Sequence, residues 1–125
     1  MKSLLIVLVL ALQVGCASYD TMEQQPEMNN PQAWHAYGEE HANKGFIQHS
    51  KQGLAKKWGV SINTLNNQAF NAYNKGYMIG KKQYCSQNAT WLGATGQIYR
   101  GICDDIDPFY RQDYMNGLRS HLGRM

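Results

Sequence analysis

The chain opens on an unbroken apolar run, Leu4 to Leu12, behind Met1-Lys2-Ser3. Nine apolar residues are too few to span a bilayer. They match the length of a signal-peptide core, with Lys2 as its positive flank. Polar sequence follows at once. Residues 17–29, with Gln24-Gln25-Pro26 and Asn29, have the composition of a flexible tether. After that the apolar positions recur at helical spacing. Asn30-Pro31 is a helix start, with Asn as cap and Pro at the first helical position. This helix is predicted over Pro31 to Lys44 and stopped by Gly45, with Trp34, Tyr37, Gly38 and His41 on one face. Ser50 caps a short second helix that ends at Gly59. Ser61 begins the longest candidate, running to about Tyr84, in which Ile62, Leu65, Ala69, Tyr73, Gly76 and Gly80 share a face widened by Phe70 and Tyr77.

Residues 85–103 carry Gly93, Gly96 and Gly101 around Trp91, Ile98 and Tyr99. Turns are predicted there, with room for two short strands. Asp107-Pro108 repeats the cap-plus-proline signal and starts a last helix, whose inner face holds Tyr110, Tyr114, Gly117, Leu118 and His121. The fold class is therefore mainly α: a small domain of three to four helices with a Gly-rich loop. The organisation is a signal over 1–15, a tether over 16–30 and one domain over 31–125.

Composition changes this picture in one respect. Residues 16–125 hold only 15 Leu, Ile, Val and Phe together, a level at which disorder is suspected. Yet all 14 aromatics and 11 of the 12 glycines lie in the same stretch. Tyr73-x-x-Gly76 and Tyr114-x-x-Gly117 each place a ring one turn before a glycine, and Trp34-x-x-x-Gly38 is a looser relative. Such pairs predict rings seated in the notches that glycines leave on adjacent helices, with an aromatic ligand groove as the other reading. Two glycines on one face of the long helix also predict a neighbour packed close against its backbone. The core is thin in aliphatic residues and needs a further constraint.

Gly15-Cys16 supplies more than a cleavage site. The first 16 residues resemble a bacterial lipoprotein signal, in which a small residue precedes a cysteine that is acylated and becomes the new N-terminus. Gln13 stands where Leu is usual. The resemblance implies lipidation of Cys16 and anchoring in a membrane of the cell envelope. Ala17 after the cysteine, rather than Asp, implies sorting to the outer membrane, facing the periplasm. Cys85 and Cys103 then remain as an even pair in an oxidising compartment, which reads as a disulfide closing the Gly-rich loop. A metal pair and a redox site are the alternatives. The first lacks a neighbouring His at ligand spacing and the second lacks a C-x-x-C.

Trp34-x-x-x-Gly38, Tyr73-x-x-Gly76-x-x-x-Gly80, Tyr84-Cys85, Gly93-x-x-Gly96-x-x-Tyr99-x-Gly101-x-Cys103 and Tyr114-x-x-Gly117 together resemble a family of small bacterial envelope lipoproteins, catalogued as a domain of unknown function. The resemblance covers about residues 33–118. It implies a fold and a location, and no catalytic residues.

The candidate chemistry is sparse. His35, Glu39, His41 and His49 lack the spacing of a metal site and read as a solvated cluster. Asp104, Asp105 and Asp107 lack the glycine of a calcium loop. No serine sits in a nucleophile motif. No metal or cofactor is expected. Without Lys2 the chain has 11 basic and 9 acidic residues, an excess too small for nucleic acid. Anionic lipid or cell-wall polymer could meet the basic residues, although a solvated helix face explains them as well. Two readings of function result. The first is a non-catalytic envelope module that binds a protein or peptidoglycan. The second is a small hydrolase or ligand-binding domain, with a pocket lined by Trp91, Tyr99 and His41 and with Glu39 or Asp113 as acid or base.

Overall fold

A computed structural model describes residues 23–125. The signal and Cys16 lie outside the described residues. Five helices follow one another: α1 (Pro31–Asn43), α2 (Lys51–Trp58), α3 (Asn67–Cys85), α4 (Ala89–Ala94) and α5 (Tyr110–Gly123). The domain is mainly helical, and no strand occurs among the described residues.

Local chemistry explains most of the boundaries. Asn30, Ser50, Asn66 and Asn88 each accept a hydrogen bond from the backbone N–H three residues on, satisfying a donor that the first turn leaves free. Gly59 ends α2 at φ 66°, and Val60 N–H then bonds back to the Ala55 carbonyl.

Three expectations about the elements are corrected. α3 starts at Asn67 rather than Ser61: Ser61 and Thr64 bond to each other in a turn, and Asn66 is the cap. Ile62 consequently leaves the predicted stripe and is exposed. The stretch between the cysteines forms α4 in place of strands, because Asn88 caps a turn of helix that buries Ala89, Leu92 and Gly93. The last helix begins at Tyr110, past Asp107-Pro108. Asp107 instead accepts the Phe109 N–H through its side chain and the Tyr110 N–H through its carbonyl, making a turn before the helix.

The helices associate as two close pairs, α1 with α3 and α4 with α5. In the first pair a Cβ on Gly38 would overlap the Tyr73 carbonyl, one on Gly76 the His35 carbonyl and one on Gly80 the Glu39 carbonyl. In the second pair Gly93 meets the Tyr114 carbonyl and Gly117 the Thr90 carbonyl. The glycines therefore admit the facing backbone. The expected seating of rings in these notches is replaced by backbone against backbone, and the tyrosines fill the space beside each crossing. Trp34, Tyr73, Tyr77, Tyr110, Leu54, Leu65, Leu92 and Cys103 are the largest fully buried side chains.

Cys85, at the end of α3, is bonded to Cys103, with 5.6 Å between their Cα atoms. This disulfide ties the second helix pair to the first. Residues 23–30, expected as the distal half of a tether, dock on the core. Trp34 Nε1 donates to the Glu27 carbonyl at 3.0 Å, Met28 packs against the core, and the Glu23 carboxylate meets Lys57.

Candidate functional site

The densest group of titratable side chains lies where α1, the 45–50 loop, α2 and the docked N-terminal segment meet. α1 presents Tyr37 and His41 one turn apart on its buried face. The loop after α1 folds back over them. His49 N–H donates to the Tyr73 hydroxyl at 2.9 Å, and the Tyr77 hydroxyl donates to the Phe46 carbonyl at 2.8 Å. α3 thus uses two tyrosine hydroxyls to hold a loop that brings Phe46 and His49 against His41. The ring centroids lie 5.1 Å (Phe46) and 4.8 Å (His49) from that of His41.

His41 is only 4% exposed. Its Nε2 lies 3.2 Å from the Ile47 carbonyl. A carbonyl can only accept, so Nε2 carries the hydrogen in the neutral ring. Nδ1 has no hydrogen-bond partner among the described residues and faces the Glu23 carboxylate at 3.8 Å. Burial first, then the neighbouring His49, holds the His41 pKa below the ordinary histidine value. Burial and Lys57 do the same to His49. Burial would raise the Glu23 carboxyl, but its hydrogen bond and ion pair with Lys57 outweigh it, and the group sits below the usual carboxylate value. Lys57 also donates to the Tyr37 hydroxyl at 3.0 Å. Burial pushes Tyr73 and Tyr77 up to about 12 and Tyr37 higher still. The cluster therefore holds neutral histidines and neutral tyrosines at neutral pH, closed by one ion pair. Among the described residues no three His, Cys, Asp or Glu side chains converge on a metal position.

Tyr99 belongs to a different cluster. Its ring lies 5.2 Å from Tyr110 and 5.3 Å from Tyr114. Its hydroxyl accepts from Cys103 N–H at 3.0 Å and donates to Asp104 at 2.7 Å. Arg111 closes on the same carboxylate with Nε at 3.0 Å and Nη2 at 2.6 Å. Burial, then the bond to Asp104, raises the Tyr99 pKa. Tyr99 is thereby built into the turn that carries Cys103. Trp91 stands on α4 with 54% of its surface exposed.

The structure does not bring Trp91, Tyr99 and His41 to one pocket. His41 lies in the first helix pair, Tyr99 in the second, and Trp91 faces outward. Glu39 and Asp113 are separated as well. Glu39 lies 4.0 Å from His35 and 3.5 Å from the Gln83 amide on the first pair. Asp113 lines a polar cleft with Cys85, Asn88, Asp107 and Tyr110. Glu23 was passed over in the sequence reading, and Lys57 was counted only among the basic residues. They lie 34 residues apart and carry no motif, so only their meeting in space marks them.

Fold and site define a small helical domain with two glycine-mediated helix crossings, a linking disulfide and aromatic clusters. A family model described as "Protein of unknown function (DUF2799)" matches residues 33–119, and the chain belongs to that family. The matched span runs from α1 to α5 and takes in both crossings and both cysteines. No curated protein and no solved structure matches the chain.

Proposed function

We propose that this chain is a lipid-anchored protein of the bacterial cell envelope, held through Cys16 at the outer membrane, whose helical domain is a non-catalytic binding or structural module. The observation that carries the module reading is how the polar aromatic residues are used. Tyr73, Tyr77 and Tyr99 spend their hydroxyls, and His41 its Nε2, on backbone groups and neighbouring side chains of their own fold. A general acid or base needs a titratable group aimed at a space where substrate can sit. The Gly15-Cys16 pattern and the disulfide suit an exported chain.

Mass spectrometry of the mature N-terminus tests the anchor, with acylated Cys16 as the expected result. An unmodified Ala17 start would overturn it. In-cell crosslinking tests the module, with enrichment of an envelope protein or peptidoglycan over an unrelated lipoprotein expected. No enrichment would remove the binding role.

A ligand-binding reading draws on one feature, an open groove of about 450 Å³ between α1 and α3, lined by Pro31, Gln32, His35, Gln68, Ala72 and Lys75. Peptidoglycan fragments that shift the amide resonances of Ala72 and Lys75 would favour it.

A further inference from the structure

We propose that the α2 end of the domain is its membrane-facing surface, and that its lysines contact anionic lipid headgroups. This rests on the lipid-anchor reading. Two observations of independent kind support it, one of chain length and one of charge.

Chain length comes first. The segment from Glu23 is docked, through Glu23 on Lys57, the Glu27 carbonyl on Trp34, and Met28 on the core. The segment read from the sequence as a tether therefore meets the fold at Glu23 and not at the first helix. From Cys16 to Glu23 there are seven Cα steps. Fully extended they reach about 25 Å. An undocked segment running to Pro31 would reach about 50 Å. Docking thus halves the reach, and it sets the departure point of the tether beside Lys57, in the last turn of α2. Whatever surrounds that end meets the bilayer most often, because a short tether raises the local concentration of its attached surface.

Charge is the second. α2 carries Lys51, Lys56 and Lys57 and no acidic residue. Lys56 is exposed, and Lys51 bonds only to the neutral Asn67 amide at 2.9 Å. Glu23 is the sole carboxylate paired with any of the three among the described residues. Ile47, half exposed, stands in the adjoining loop, where its carbonyl meets His41. In the second helix pair and the turn before it, Asp104, Asp105, Asp107 and Asp113 are balanced by Arg100, Arg111, Arg119 and Arg124. A cationic end beside the tether and a charge-balanced region elsewhere make an asymmetry that a negative lipid surface orients. A positive end with a small apolar residue fits headgroups, whereas a protein partner would need a broader apolar face at the same place.

The test uses the exported, full-length processed protein reconstituted in vesicles of phosphatidylcholine, alone or mixed with phosphatidylglycerol. Acetylation footprinting reads each lysine, with exposed Lys82 on α3 as the internal reference. The expected result is a several-fold loss of Lys51 and Lys56 reactivity relative to Lys82 in the anionic vesicles, reversed by high salt. The Lys51→Glu/Lys56→Glu variant should keep its melting temperature and lose the lipid-dependent exchange protection of the α2 amides. An acylated chain whose lysine reactivities match in both vesicles overturns the lipid-facing surface and leaves the anchor standing. An unacylated N-terminal peptide overturns the anchor, and this surface with it.

Discussion

The α1–α3 pair and the α4–α5 pair share one packing device and differ in what secures it. Both crossings place glycines where a facing carbonyl would collide with any Cβ. The first pair joins helices of 13 and 19 residues, and α2, the 45–50 loop and residues 23–30 buttress it. The second joins helices of 6 and 14 residues, and a six-residue helix is too short to stand alone. Its hold on the rest of the domain comes from the Cys85–Cys103 bond, from the Lys81–Asp105 ion pair and from Arg100 lying over the Phe46 ring. A close crossing thus supplies contact in both pairs, but the shorter pair borrows its order from a covalent link.

Substitution at the crossings should have as large an effect as any change and should not distinguish the pairs. Gly76→Ala and Gly117→Ala each drive a methyl into a backbone carbonyl that cannot turn aside. A loss of about 3 kcal/mol is expected from each, out of a net stability of about 5–15 kcal/mol. Chemical denaturation would measure it. A loss under about 1 kcal/mol at either site would show that its helices can separate cheaply.

Removing the disulfide should distinguish them. Its cysteines are 18 residues apart, and closing such a loop contributes a little over 3 kcal/mol in the chain-entropy model. Cys85→Ala, alone or with Cys103→Ala, should lower the melting temperature and raise amide exchange in α4 and the turn after it before α1 or α3. Equal loosening of both pairs would contradict the comparison.

Acid should act on the opposite pair. His41 and His49 have pKa values held below those of the unfolded chain, chiefly by burial. The unfolded state then binds more protons as pH falls past about 6.5, so stability present above that pH is lost through the lowered folded values. The effect should be smaller than that of the disulfide. It should show first around buried Trp34 and half-buried Trp58, whose fluorescence reports the first pair. A His41→Phe variant with an unchanged acid profile would refute this cause.

The smallest effect is at the caps. Asn66→Ala and Asn88→Ala each remove one side-chain acceptor, worth about 1 kcal/mol. The loss at Asn88 should spread through all of α4, while that at Asn66 should fray one turn of α3.

The elements were legible where local chemistry decides. Asn30-Pro31, Ser50 and Gly59 marked their boundaries because caps and positive-φ glycines act within four residues. Ser61 misled because a serine can close a turn as readily as it caps a helix, and Asn66 offered a second cap five residues later. Asp107-Pro108 misled likewise, since the same carboxylate that caps a helix can hold an Asx turn before it. The candidate site was barely legible. His41 was placed on the α1 face of Trp34 and Tyr37 but also read as solvated; it is buried, and its partners come from residues 23, 46, 47 and 49, which no periodicity links.

The sequence by itself determined the helical character, the pairing of the cysteines and the aromatic-glycine faces, because each depends on periodicity or on counting. The tertiary structure alone decided what the glycines admit, where Tyr99 and His41 lie relative to each other, and that residues 23–30 dock on the core. These depend on which backbones meet. A glycine leaves space for a ring or a chain equally well, and only the crossing of two helices settles which one enters.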